Sequence, residues 1–255
     1  MTQARSKMAL LTPATLALIR TKLPLTAALP TWPLTATSMA AAATQSPVFQ
    51  CQIRSASSKL DFPTTSFSHK ALKFFKRGKP LKAELGLAGS YLMNRCANGV
   101  DVLDFFREFD LPDTFFSWYM VSELHLWMIS VRLMSEDCND CQEVRNWMLK
   151  QFWNDCDTRA KEVGEKSATE RSEAVAEMAE QFNAAIMVYD EGIVGDDKNL
   201  ANAIWRRFFN CRPDPDAEKL EMLVRYVRRT MSELDKTPLN KLVVETDFEW
   251  VPLKD

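Results

Sequence analysis

The chain has 255 residues, 46% of them hydrophobic, and a formal net charge of -2, which supplies one sizeable buried core and excludes a disordered or fibrous polypeptide. Two histidines and seven glycines leave it poor in general bases, nitrogen ligands for metals and phosphate-cradling loops, and six cysteines are too few for a disulfide-stapled fold. The near-neutral total hides a split: residues 1–82 hold 12 basic residues against Asp61 alone, a formal +11, while the remaining 173 hold 20 basic and 33 acidic, a formal -13.

Residues 1–60 are rich in Ser, Thr and Ala and carry Arg5, Lys7, Arg20, Lys22, Arg54 and Lys59 with no acid. This is the composition of a mitochondrial transit peptide, drawn inward as a positive amphipathic segment by the membrane potential. A secretory signal is the competitor, but the apolar stretch 8–19 is broken by Thr12, Pro13 and Thr15 and followed by Arg20 and Lys22. Residues 1–58 are therefore assigned to the leader. A basic linker follows over 59–82, in which Lys70, Lys73, Lys76, Arg77, Lys79 and Lys82 interleave with Leu72, Phe74 and Phe75. Such a segment suits an anionic lipid surface or ribosomal RNA, each cation near a charged membrane contributing about 1 kcal/mol. A plain solvated linker is the alternative.

From residue 83 to 255 the apolar residues repeat at helical spacing and strand alternation is nearly absent, so the body is expected to be an all-α multi-helix bundle with an extended C-terminal strap. A helix over 81–96 and a shorter one over 100–109 are separated by Asn98-Gly99, and Leu111-Pro112 stops the second. Asp113 or Thr114 then caps a helix over 114–134 that is apolar almost all round, as a helix buried in a bundle is. Glu123 and His125 near its centre argue against a membrane span. A further helix over 140–160 carries the stripe Val144, Trp147, Met148, Phe152 and Cys156. Ser167 and Glu170 have the spacing of a capping box, ahead of a face made by Val175, Met178, Phe182, Ala185, Ile186 and Tyr189. Gly192 or Gly195 is expected to end that helix in a left-handed cap, with Asp196 or Asp197 opening the next over 200–209. Asp214-Pro215 opens the last, with Leu220, Leu223, Val224, Val227, Met231 and Leu234 inside and Arg225, Arg228 and Arg229 on the opposite side. After Pro238 the residues Leu242, Val244, Phe248 and Trp250 read as the strap.

Few residues suggest chemistry. Cys138 and Cys141 have redox or zinc spacing without a second close pair, a weak signal, and the cysteines are read as mostly reduced. Glu123 and His125, two apart on a helix, point in different directions and are expected to be hydrogen-bonded core residues. Asp190, Glu191, Asp196 and Asp197 gather four carboxylates within eight residues. Helix end, turn and cap explain most of them, and a partner-binding acidic patch is the other reading. No catalytic residue, metal ligand or cofactor is assigned.

Three ordered blocks carry a resemblance. The first is Leu111-Pro112-Asp113-Thr114-Phe115 with Ser117-Trp118, then Glu123-Leu124-His125-Leu126-Trp127-Met128 and Val131-Arg132. The second is Tyr189-Asp190-Glu191-Gly192-Ile193 with Asp196-Asp197, and the third Leu200-Ala201, Ile204-Trp205-Arg206 and Phe208-Phe209-Asn210. Over residues 83–252 the chain resembles the ubiquinol-cytochrome c chaperone family, mitochondrial assembly factors for cytochrome b of respiratory complex III. The resemblance implies a non-enzymatic matrix protein on the inner face of the inner membrane. It implies as partners a small assembly factor, newly synthesised cytochrome b, the mitochondrial ribosome and the membrane surface, and no DNA. Docking is expected through the basic linker, and partner or client binding through Asp190, Glu191, Asp196, Asp197, Arg225, Arg228 and Arg229. The competing reading is a helical matrix enzyme acting on quinone or lipid through Glu123, His125 and Asp190; a third is a stably incorporated respiratory subunit.

Overall fold

The computed structural model describes residues 82–254, apart from 137, 164–166, 212 and 246–247. The leader and the linker up to residue 81 lie outside the described residues, as do Lys70, Lys73, Lys76, Arg77 and Lys79. The described residues form α-helices α1 Lys82–Ala97, α2 Val102–Glu108, α3 Phe115–Met134, α4 Asn139–Val163, α5 Ala168–Val194, α6 Asp197–Phe208 and α7 Ala217–Lys236, then a single π-helical turn Lys241–Glu245. The expected all-α bundle is what is found, with the C-terminal strap crossing α1: Phe248 and Leu253 are buried, and Trp250 Nε1 donates to Arg95 O at 2.8 Å.

α3 runs through the centre, and eighteen of its twenty residues are buried. Burial on every side explains why it lacks the one-faced pattern of α7, whose inner stripe Leu223, Val224, Val227, Met231 and Leu234 faces the core. No helix among the described residues is long and apolar enough to cross a membrane.

Close helix contacts depend on small residues. α1 packs so near α4 that a Cβ on Gly89 would stand 2.6 Å from Trp147 Cβ and 2.7 Å from Val144 O. Gly192 does not end α5. It is buried inside the helix, where a Cβ would meet Leu200 Cα and Ala203 Cβ of α6 at 3.0 Å.

Most helix starts are where local chemistry puts them. Thr114 caps α3 by accepting from Ser117 N, Ser167 and Glu170 form the reciprocal capping box on α5, and Asp196 caps α6 by accepting from Asn199 N. The last start differs from expectation: Asp216, not Asp214, caps α7, because its carboxylate reaches the Glu218 and Lys219 amides and Pro215 precedes the cap. Helix ends differ more. Gly195 follows α5 in an extended conformation (φ -81°, ψ -170°), not a left-handed one. Left-handed backbone appears instead at Asp110 after α2 and at Asn210 after α6, where short polar side chains tolerate it, and at the adjoining Cys211. Cys138 and Cys141 also depart from the reduced state expected of them, being joined as a disulfide at the start of α4, while Cys96, Cys156 and Cys211 are free.

Candidate functional site

α3 carries a polar side chain toward nearly every neighbour. Trp118 Nε1 donates to Ala97 O at the end of α1 (3.0 Å). Glu123 receives both arms of Arg207 from α6, Nε to Oε1 at 2.7 Å and Nη2 to Oε2 at 2.6 Å. His125 meets the Tyr226 hydroxyl of α7 at 2.6 Å through Nε2, and its Nδ1 meets Val121 O at 2.7 Å. Trp127 Nε1 donates to Asp190 Oδ1 of α5 at 2.9 Å. Arg132 donates from Nε to Leu234 O and from Nη2 to Thr237 O, closing the end of α7. The first block of sequence is thus a set of ties from one buried helix to four of the helices around it, α1, α5, α6 and α7.

The electrostatics follow from burial. The Glu123 carboxyl is raised by desolvation, an effect that Arg207 opposes. Burial alone would lower Arg207, but the carboxylate outweighs it and keeps the guanidinium above its ordinary range. Tyr119 and Tyr189 lie beside the pair, and burial and the neighbouring carboxylate raise both phenols. The Tyr119 hydroxyl donates to Met178 O, and the Arg207 guanidinium lies over the Phe116 and Tyr119 rings. Burial pushes His125 down to about 4, so its imidazole is neutral at physiological pH. With Nδ1–H donating to Val121 O, Nε2 is left to accept from Tyr226.

Glu123, His125 and Asp190 do not form one reactive constellation. Glu123 faces Arg207, Tyr119 and Tyr189; His125 sits among Phe105, Tyr226 and Trp250; Asp190 accepts from Trp127. Among the described residues no group of three or more His, Cys, Asp and Glu side chains could hold a metal ion.

This arrangement explains the second and third blocks. Tyr189 packs on Trp127 with ring centroids 5.0 Å apart. Gly192 and Leu200 make the α5–α6 contact, and Phe208 and Phe209 pack edge-on against Phe109. The second and third blocks, adjacent in sequence, thus join the distant first block through the Trp127–Asp190 and Trp127–Tyr189 contacts and the close α5–α6 approach. The chain belongs to the ubiquinol-cytochrome c chaperone family. The family model, described as ubiquinol-cytochrome C chaperone, matches residues 107–250. Ubiquinol-cytochrome c reductase complex assembly factor 1 of Drosophila melanogaster is 39% identical over 175 residues, covering 68% of this chain and 67% of its own. The human protein of that name is 34% identical over 175 residues, 68% of this chain and 56% of its own. The mitochondrial protein CBP3 of Saccharomyces cerevisiae is 27% identical over 177 residues, 65% of this chain and 52% of its own. The crystal structure of the Cbp3 homolog from Brucella abortus shares the fold, with a TM-score of 0.58 and 18% identity over 71% of this chain and 97% of that one.

The structure distributes the sequence-nominated residues. Asp190 is buried under Trp127, Asp196 caps α6, and Glu191 is exposed on α5. Arg228 turns toward the end of α5, donating to Ile193 O and Gly195 O at 2.9 Å and to Asp197 at 3.0 Å. Arg225 and Arg229 instead come together with Met222, Leu253 and Lys254 around an open recess of about 220 Å³. Lys82 begins α1, exposed. Sequence reasoning missed Arg207, although a carboxylate in the middle of an apolar helix demands a cation. The choice between Arg206 and Arg207 depends on how α6 is rotated, which no local signal gives.

Proposed function

We propose that this protein is an assembly factor of respiratory complex III, acting without catalysis on newly synthesised cytochrome b at the matrix side of the mitochondrial inner membrane. The family match over residues 107–250, with a 39% identical relative named for assembly of the ubiquinol-cytochrome c reductase complex, carries this reading. The geometry supports a binding role, since Glu123, His125 and Asp190 are each held in a tie between helices and the recess at Arg225 and Arg229 is open. In this proposal residues 1–58 are the import leader, and the linker cations Lys70 to Lys82 dock the protein to the membrane surface or the ribosome. The exposed Glu191, Asp197 and Arg225 contact a small partner factor or the client. Deleting the protein is expected to lower cytochrome b and assembled complex III selectively on native gels, with other respiratory complexes retained. Equal loss of all mitochondrially encoded subunits, or intact complex III, would refute it.

A further inference from the structure

We infer that Cys138 and Cys141 form a reversible dithiol–disulfide site at the entrance of α4, exchanging with a thiol buffer of the glutathione type. The two residues are three apart and already joined, with Cα atoms 5.4 Å apart. Cys138 immediately precedes α4, and the Cys141 N–H donates to Cys138 Sγ at 3.1 Å. That sulfur therefore occupies the place of a helix-capping oxygen.

The placement has a chemical consequence. A thiolate at Cys138 would accept that amide hydrogen bond as a charge-assisted one and face the positive end of the helix dipole, so the reduced state is stabilised. Stabilising the reduced state makes a disulfide easier to open. Asp140 and Glu143, within the first two turns of α4, oppose this effect. Exposure selects the reacting sulfur: Cys138 is half-buried, whereas Cys141 is 3% exposed. The other core cysteines contrast with the pair, since burial raises the thiols of both Cys96 and Cys156 and keeps them protonated.

The bond also contributes little to holding the fold. A disulfide stabilises more as the loop it closes lengthens, and this one spans a separation of three. The α3–α4 turn is anchored independently by Arg132, which pairs with Glu136 at 2.9 Å and donates to Leu234 O. Opening the bond therefore leaves the bundle standing.

The exchange balances as follows. A glutathione thiolate attacks Cys138 Sγ, the Cys138–Cys141 bond breaks, and the Cys141 sulfur leaves with the electron pair and takes a proton. A second glutathione thiolate attacks the glutathione sulfur of the mixed disulfide and frees Cys138. The protein disulfide gains two electrons and two protons, and two glutathiones become one oxidised glutathione.

The test equilibrates the full chain in glutathione buffers of graded [GSH]²/[GSSG], quenches with acid, alkylates, and reads the Cys138–Cys141 peptide by mass spectrometry. By mass action, a roughly hundredfold rise in that ratio should lower the disulfide-to-dithiol ratio roughly hundredfold, with the circular dichroism of the helices unchanged. Cys141→Ser should trap one glutathione on Cys138, and Cys138→Ser, which keeps an oxygen in the capping place, should abolish the titration without loss of helix. A pair that remains disulfide, or remains dithiol, at every ratio overturns the proposal. So does a Cys141→Ser protein that stays folded and takes no adduct at Cys138.

Discussion

Glu123 and Arg207 show how a single residue's cost is set by its partner. Glu123 is fully and Arg207 largely withdrawn from water, and their attraction offsets that desolvation only while each has the other. Glu123→Gln leaves a largely buried guanidinium without its carboxylate and should destabilise the fold, by up to about 3–5 kcal/mol. Replacing both, as Glu123→Leu with Arg207→Met, should recover most of that loss, because well-packed apolar residues of similar volume do the same work without desolvation. Denaturant melts of the three proteins decide; a Glu123→Gln loss under 1 kcal/mol would mean that solvent reaches the pair. His125 adds a pH dependence of known sign. Its folded pKa of about 4 lies below the value near 6.5 expected of the unfolded chain. Its neutral form is common to both states above pH 6.5, and protonation favours the unfolded chain as pH falls from there toward 4. The loss is up to about 3 kcal/mol. Glu123, raised by burial, works in the opposite sense in acid, so the comparison must be differential. Stability measured from pH 7 to 4 should fall more steeply for wild type than for His125→Gln, and parallel curves would show that His125 ionises freely in the fold.

At the scale of the elements, two glycines one turn apart on α1 should respond to the same substitution with opposite signs. A Cβ on Gly86 would make only ordinary contacts with the Trp147 ring, at 3.5 Å, so Gly86→Ala should gain up to about 1 kcal/mol from helix propensity. At Gly89 the Cβ would overlap Trp147 Cβ and the backbone of Val144 and Met148, within 2.8 Å. Overpacking of that kind costs about 1–3 kcal/mol and outweighs the propensity gain. Thermal melts that rank Gly89→Ala above wild type would place α1 farther from α4 than the structure has it. Helix ends follow the same division between local and remote causes. The Ser167–Glu170 box is written in four consecutive residues, whereas the end of α5 depends on Arg228, more than thirty residues away. The left-handed cap expected at Gly195 is absent because the guanidinium already satisfies the Ile193 and Gly195 carbonyls.

The whole molecule joins two unlike charge distributions, +11 over the first 82 residues and -13 over the rest. Cations set among Leu72, Phe74 and Phe75 can seat the linker on an anionic surface through both electrostatic and apolar contacts. Reversing Lys70, Lys73, Lys76, Arg77, Lys79 and Lys82 to Glu should release the protein from mitochondrial ribosomes or cardiolipin-containing vesicles. Wild-type binding should weaken steeply with salt. The helical body should fold unchanged, because five of the six precede α1 and Lys82 is its exposed first residue. Co-sedimentation at low and high salt checks both halves, and equal, salt-insensitive recovery of the two proteins would move the docking surface elsewhere, Arg225 and Arg229 beside the recess being the next candidates.

The helices themselves, their order, most of their starts and the burial of α3 follow from the sequence alone. Helical periodicity and capping are local, and a run such as Phe115–Met134 has no polar face to turn to water. The family, too, was legible, since its blocks are short ordered strings. Partnership was not. Which arginine meets Glu123, why Trp127 needs Asp190, why α7 ends under Arg132 and why Gly192 lies inside a helix all depend on rotations and approaches of helices far apart in the chain. The same is true of the arginines of α7, which one face of a helical wheel groups together. Only packing sends Arg228 to the end of α5 and brings Arg225 and Arg229 to the recess by Lys254, because a side chain's partner is fixed by the element that packs beside it.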